Sequence, residues 1–507
     1  MARTVASTHN DFAKRKIQWA RIRDALAGQD EIKANGEAYL PKPNGMDQPA
    51  YDAYKSRAQY YPVVERTLRS MSGMVFRHPI KIEMPAKLEP LREAATTDGH
   101  SLEVMAENVI NEVGSMGRFG ILVDYPTENT SATSIPYLAT YTAENITDWK
   151  ERFIDGLRTP VRIVLVDDFD DGDDDDNGES GEMRLELIIN DEGNYEVRKW
   201  IAAGERQVKD SSEAYILKST NVPTVNGKPL KRIPFVFINP YDLRPQVEKP
   251  PMLDLVDVNI GHYRNSADYE HALYLTAQPT PWVAGKIDEK NKPTAIGSGA
   301  FWTLPEGATA GMLEFSGQGI AAQERAMEAK EQRMASLGAR MINDGKNRNE
   351  ASDTAKMRGN GELSLLTNIV NMAEAGIERA LRIAAEWVTG RPDDVEVKMN
   401  RDWVETKMDA TTLTALVKAW QAGAMSHEVL YGNLQAGELA PVDRTFEEER
   451  DAIEEEGGDL GMGVNQALVA QAMTPPGTQP APGEQTPKKT AEPKPQTTEE
   501  AAGGDDR

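Results

Sequence analysis

Cysteine is absent from the 507 residues, which excludes disulfides, thiolate metal sites and a thiol nucleophile together. No run of about 18 apolar residues occurs, and Met1 to Asp11 lacks an apolar segment of signal-peptide length, so the expectation is a soluble, non-secreted chain with no membrane partner. The Gly-Lys pairs at Gly227, Gly285 and Gly345 lack both the upstream glycine and the following hydroxyl that a phosphate-cradling P-loop needs. None of the six histidines sits in a His-Glu-x-x-His pair. His262 and His271, nine residues apart on an expected helix, lie about 180° from one another at ~100° per residue and cannot share a metal. No serine occupies a Gly-x-Ser-x-Gly elbow. No catalytic residue, cofactor or metal ligand is therefore assigned, and the expectation is a non-enzyme. Basic residues are also scarce, 57 against 81 acidic ones, for a net charge of −24. A protein that grips phosphates presents a basic face. This balance argues against a sequence-reading DNA binder, but not against a chain that handles DNA without holding it.

The acidic excess has one loud centre. Residues 167–182 carry ten acids and no base, and Asp173-x-Asp175-x-Asn177-Gly178 matches the first half of a calcium loop. Arg184 stands where the twelfth-position Glu would be, and strands are expected on either side, so a solvated hairpin loop is the plainer reading. The alternatives are a weak divalent site or a metal-dependent enzyme built on these acids.

Periodicity organises the rest around residues 250–390. Met252, Val256, Ile260, Tyr263, Ala267 and Tyr274 form one helical stripe that stops before Gln278-Pro279. Short apolar runs at 281–285, 300–304 and 312–315 read as small strands. The helical period returns over 321–342 with Met327, Met334 and Met341 at steps of seven. Two such rods joined by a β tip have too little stripe to bury alone. A polar stretch, 343–360, carries Lys346, Arg348, Lys356 and Arg358 against Asp344, Glu350 and Asp353, and a loop of that length is functional or disordered. Leu366, Ile369, Val370, Ala373, Ile377, Leu381, Ala384 and Val388 then give the cleanest stripe in the chain, with Gly376 a place where the helix could bend.

Before this stretch, a helix is expected over 11–26 with Ile17, Ala20 and Trp19 or Ile22 inward, then two helices meeting at Tyr61-Pro62, and another over 101–116. Strands are expected at 120–124, 161–166, 183–189, 195–201 and 233–238, which makes residues 1–250 an α+β domain. After it come a short strand at 395–399 and helices at 410–422 and 426–434. Residues 444–456 are strongly acidic, and the Pro-, Gly- and Thr-rich residues 457–507 read as disordered.

The order of these parts resembles the portal, or head-to-tail connector, proteins of tailed bacteriophages. The resemblance is carried by Tyr51…Arg57-Ala58…Tyr61-Pro62…Arg66-Thr67…Gly73…Phe76 and by Asp257-x-Asn259-x-x-His262-Tyr263-Arg264-x-Ser266-Ala267-Asp268. Pro279-Thr-Pro281, Trp302-x-Leu304-Pro305, Glu314-x-x-Gly317, Met334-Ala-x-Leu337-Gly338-Ala339-Arg340, Thr354-Ala355 and Ser364-x-Leu366 continue it, over most of residues 40–450. It implies a ring of identical subunits, usually a dodecamer, at one capsid vertex of the virion, assembled in the host cytoplasm. Double-stranded DNA would be packaged and ejected through it. Residues 1–250 would be most of the wing, 251–276 and 321–342 the stem helices, 277–320 the clip, and 343–360 the tunnel loop. The long helix and return to the wing would be 361–407, the crown 408–456 and the tail 457–507. Implied partners are the terminase large subunit, then head-completion adaptor and tail proteins, with major capsid and scaffold proteins around the ring. Lys346, Arg348, Lys356 and Arg358 would face the DNA. A non-channel adaptor or scaffold is the remaining alternative.

Overall fold

Phe12, Trp19, Ile22 and Ala25 share one side of α1 (Asn10–Ala27) and start the core of the computed structural model. The structure describes residues 4–126, 135–170, 180–202, 214–276, 280–286, 301–313, 318–338, 352–401, 410–437, 439–441 and 444–456. The chain divides into two units, Met1–Trp403 and Val404–Arg507. Among the described residues no helix is long and apolar enough to cross a membrane.

The first unit mixes helices with antiparallel sheets. Behind α1 come α2 (Gln29–Ala34), α3 (Gln48–Arg57), α4 (Val63–Val75) and α5 (Leu102–Met116). Asp47 caps α3 by accepting from Ala50 N at 2.9 Å, and Ser101 caps α5 by accepting from Val104 N at 3.2 Å, each satisfying a donor the helix start leaves free. Ile17 and Ala20 are exposed, against expectation. Ile17 lies about 200° round the helix from Trp19 at ~100° per residue, and Trp19 takes the core position, its indole donating to Met116 O at 3.0 Å.

Two larger sheets follow. The strands β2 (Phe119–Asp124), β3 (Tyr137–Thr142) and β11 (Phe235–Ile238) pair in the order β11-β2-β3, so the strand expected at 233–238 joins the one expected at 120–124 rather than those just before it in the chain. A five-stranded meander joins β4 (Ile146–Ile154), β5 (Leu157–Asp170), β6 (Ser180–Ile189), β7 (Tyr195–Ala202) and β8 (Tyr215–Asn221). The acidic stretch is thus not all loop: Asp167 to Asp170 pair with Met183 to Ser180 as continuing strand. Asp173, Asp175 and Asn177 lie outside the described residues. Leu122, Ile163, Leu165, Leu187, Phe235 and Phe237 belong to a second, smaller core. Between β8 and β11 a two-residue hairpin pairs β9 (Thr224–Val225) with β10 (Lys228–Pro229).

The chain then forms α6 (Leu253–Thr276), a hairpin of β12 (Thr280–Ala284) and β13 (Thr309–Leu313), α7 (Gln318–Ser336) and α8 (Ser352–Thr389). The described part of the expected 300–304 strand, 301–304, is not strand, because β12 pairs directly with β13 from Thr280↔Leu313 to Ala284↔Thr309. The helix expected to end at 342 ends at Ser336, and α8 starts nine residues before 361. Its stripe from Leu366 to Ala384 is fully buried in the large core with α1, α3, α4, α5 and the first part of α6. The helix runs unbroken through Gly376, and a Cβ there would lie within 2.5 Å of Ile238 Cγ1, so the glycine is where α8 presses on β11. The chain closes the unit by pairing β14 (Glu396–Lys398) with β1 (Lys81–Glu83).

The second unit holds α9 (Ala410–Gln421), α10 (His427–Ala436) and α11 (Phe446–Glu456). Ser426 caps α10 at Val429 N, 3.2 Å. The acidic 446–456 is helical because Thr445 and Glu448 form a reciprocal capping box, Glu448 N donating to Thr445 Oγ1 at 3.2 Å and Thr445 N to Glu448 Oε2 at 2.8 Å.

Candidate functional site

The two sequence segments that stand out for their polar and aromatic content meet each other. From α6, Asn259 Nδ2 donates to Tyr61 O at 2.9 Å, Arg264 Nε to Tyr39 O at 2.7 Å, and Ser266 Oγ accepts from Gln59 N at 2.9 Å. Tyr54 donates to Asp268 at 2.6 Å, and Arg21 reaches Asp257 at 2.5 Å. Leu255, Val256, Ile260, Tyr263 and Ala267 are buried behind these bonds. Burial pushes the Tyr54 hydroxyl's pKa up, reinforced by its bond to Asp268, and burial, with a smaller push from Tyr51, takes Tyr263 to about 12. The segment 51–62 is therefore a hydrogen-bonded cradle for the first two-thirds of α6.

Along the last third of α6 the cradle thins to side-chain contacts from Tyr54, Arg57 and Gln59. Leu273, Tyr274 and Leu275 are exposed, Tyr274 by 62%, so the stripe expected to run to Tyr274 stops being buried at Ala267. Arg57 covers one face of the Tyr274 ring at 4.1 Å and reaches His271 Nδ1 at 3.1 Å. Burial, then the neighbouring guanidinium, hold the His271 pKa below its ordinary value, against the pull of Asp268. At the tip beyond, Trp282, Met312 and Phe301 are also exposed, Phe301 by 89%.

The second rod, α7, is held from one side only. His262, buried, meets Glu331 at 3.2 Å, and Lys330 bonds Asn265. Gly261 allows this, since a Cβ there would sit 3.3 Å from Lys330 Cε. Past the end of α7, Gly338 packs on Thr67 of α4. Met334 alone among the described residues of α7 is buried; Met327 is half-buried, and Glu324, Arg325, Glu328, Gln332 and Arg333 face water. Asn259 Oδ1, His262 Nδ1 and the Tyr263 hydroxyl are buried without a hydrogen-bond partner in the single chain.

The four basic residues of the expected tunnel loop are not brought together by the described structure. Lys346 and Arg348 lie outside the described residues. Lys356 and Arg358 belong to α8, not to a loop, because the helix begins at Ser352. Two residues apart on a helix is about 200° of rotation, so these two positions occupy opposite faces. Among the described residues no group of three or more His, Asp or Glu is placed to hold a metal ion. The tip lies within residues 277–320, expected to be the clip, but sequence reasoning did not single out Trp282, Phe301 or Met312; the step from Ala267 to Tyr274, seven where the others are three or four, marked where the α6 stripe changes.

Residues 251–388, α6 through nearly all of α8, match a family described as a domain of unknown function, DUF4055. No curated protein matches the chain. Among solved structures, a chain of the "Neck of empty GTA particle computed with C6 symmetry" is similar at a TM-score of 0.41 and 13% identity, over 75% of this chain and 91% of that one. A chain of the "Neck of native GTA particle computed with C12 symmetry" gives 0.39 and 12%, over 79% and 98%, and one of the "Virion of native gene transfer agent (GTA) particle" 0.40 and 14%, over 81% and 99%. At these identities and TM-scores the role of this chain rests on its own residues.

Proposed function

We propose that this chain is a structural, non-enzymatic subunit of a ring at the head-to-tail junction of a phage-like particle, and specifically of the portal through which double-stranded DNA is packaged and ejected. The observation that carries the reading is the lopsided helical pair: α6 is cradled by 51–62, while α7 buries a single described side chain and turns its other sides to water. Helices with narrow apolar seams complete their burial on neighbours. A ring of identical copies supplies such neighbours without adding another chain. The resemblance of 51–76 and 257–268 to portal proteins points the same way, and their mutual hydrogen bonds make the two motifs one structural device.

In this reading α6 and α7 form the stem, and the exposed apolar tip around Trp282, Phe301 and Met312 is the surface that receives the terminase large subunit and later head-completion or tail proteins. Capsid and scaffold proteins surround the ring, which we take to be a dodecamer. The net charge of −24 suits a channel for a polyanion, because few fixed cations leave few phosphate contacts to break per step. Lys346 and Arg348 are the proposed transient phosphate contacts. Lys356 and Arg358, in the first turns of α8, are the other two proposed contacts.

Negative-stain imaging of the purified protein tests the ring: annuli with a central hole are expected, and compact single subunits at every concentration would overturn it. Lys346→Ala with Arg348→Ala should leave annuli intact and reduce DNA packaging or retention. Loss of assembly would instead assign both residues to the subunit contact.

A further inference from the structure

The second unit leaves its core unfinished. Among its described residues, Leu430 and Tyr431 are the only large apolar side chains that are buried. Leu439 and Ile453, 51% and 48% exposed, line a groove of about 180 Å³ between α10, residues 439–441 and α11. Tyr431 and Phe446, in ring contact at 6.0 Å, line it as well. A dry cavity of ~150 Å³ admits a benzene-sized group, so this groove has room for about one or two apolar side chains.

The charges at the groove are already paired. Glu449 meets Arg444 at 2.7 Å and Arg450 meets Asp451 at 3.1 Å, so a charged occupant finds no open counter-ion and a neutral apolar one is selected. Residues 457–507 follow α11 directly, and Ile453 lies about one turn before they begin. Their large apolar residues, Leu460, Met462, Val464, Leu468, Val469 and Met473, all fall within 460–473, and 474–507 contains none. Leu460 to Met473 also carries no charged residue, in a chain that is 27% charged. Val464, Leu468 and Ala472 recur at steps of four, the spacing that a groove reads from one side of a helix. The connection is long enough to double back. Gly457 to Val464, with glycines at 457, 458, 461 and 463, can span up to about 26 Å at ~3.3 Å per residue, against about 17 Å for the length of α11.

We propose that residues 460–473 of the same chain occupy this groove, with Val464 and Leu468 set among Tyr431, Leu439, Phe446 and Ile453. The tether decides for the chain's own segment over a second copy. A short flexible connection holds the segment at an effective concentration on the order of millimolar, which a separate molecule in dilute solution does not reach. The segment completes the core of the second unit as a built-in ligand, and any partner seeking this groove has to displace it. The inference goes beyond the ring reading and does not depend on it.

With no native cysteine in the chain, Leu439→Cys gives a single reporter on the groove. In dilute full-length protein its labelling by a maleimide should be at least tenfold slower than in the same protein carrying Val464→Asp with Leu468→Asp, and that ratio should not change with protein concentration. Ile453→Cys, on α11, should show the same contrast and serves as the reporter if Leu439→Cys does not fold. Equal rates with and without the two aspartates in a folded reporter would overturn the proposal. Protection that appears only as protein concentration rises would give the groove to a second copy and overturn it too. Labelling is read on dilute subunits, so a failure to form annuli on imaging removes the ring reading and leaves this result standing, while annuli with an unprotected groove do the reverse.

Discussion

In α8 the side chains of Leu366, Ile369, Val370, Ala373, Ile377, Leu381 and Ala384 are fully buried, while in α7 only Met334 is, among the described residues. Both helices are amphipathic, and both belong to the same unit. The difference lies in what surrounds them: α8 is enclosed by α5, β2 and β11, whereas α7 rests on α6 alone along most of its length. A seam is thus finished inside the subunit in one case and left open in the other. That contrast makes α8 a stability element, and in the proposed ring α7 is the element that assembly would cover.

Substitutions can break the contrast. Leu381→Ala in α8 should cost about 2–5 kcal/mol of subunit stability in urea unfolding, the usual loss for a buried leucine with a cavity left behind. A cost near zero would mean that α8 is not held as described. Gly376→Ala should cost about 1–3 kcal/mol by overpacking against Ile238, although alanine is the better helix former. A gain in stability would show instead that Ile238 yields. Met327→Ala in α7 should change subunit stability by less than about 1 kcal/mol and yet lower the yield of annuli; the reverse pattern would place Met327 in the subunit core.

The smallest effect sharpens the electrostatic side. Burial raises the Asp124 carboxyl pKa, and the bonds from Tyr125 N and Tyr137 oppose this without cancelling it. A carboxyl whose pKa is raised by folding contributes stability below its unfolded pKa and loses it as pH rises through the folded value. Asp124→Asn, which keeps an acceptor for Tyr125 N and sets an amide NH2 donor against the Tyr137 hydroxyl oxygen, should therefore stabilise the subunit at neutral pH, with the gain disappearing in the acid range. Stabilisation that grows on acidification would contradict the burial term.

How much of this could be read from the residues varies by region for physical reasons. The α8 stripe was legible because one face meets one continuous core. The α1 seam was misplaced at Ile17, since apolar type does not say which side of a helix is covered. β8 left no alternation to read because nearly all of it is exposed, and β4 carries the charged Lys150, Glu151 and Arg152 where its pairing with β5 continues. The capping box at Thr445 and Glu448 was a readable signal for α11 that the acidic composition obscured. In the candidate site, the α6 face was legible as a helix, but its cradle at 51–62 lies some 200 residues away in sequence, as the span of 207 between Gln59 and Ser266 shows. Nothing in local periodicity carries that distance. The four basic residues were read as one loop because polar composition does not separate a loop from the first turns of a helix, and α8 claims Lys356 and Arg358.

Amide hydrogen exchange of residues 318–336 and 366–384, followed from dilute subunit to assembled particle, is the most direct test of the open seam. The account predicts slow exchange in 366–384 throughout, and exchange in 318–336 that is fast in the dilute subunit and slows on assembly. Equal protection of both segments in the dilute subunit, or no change in 318–336 when particles form, would contradict it.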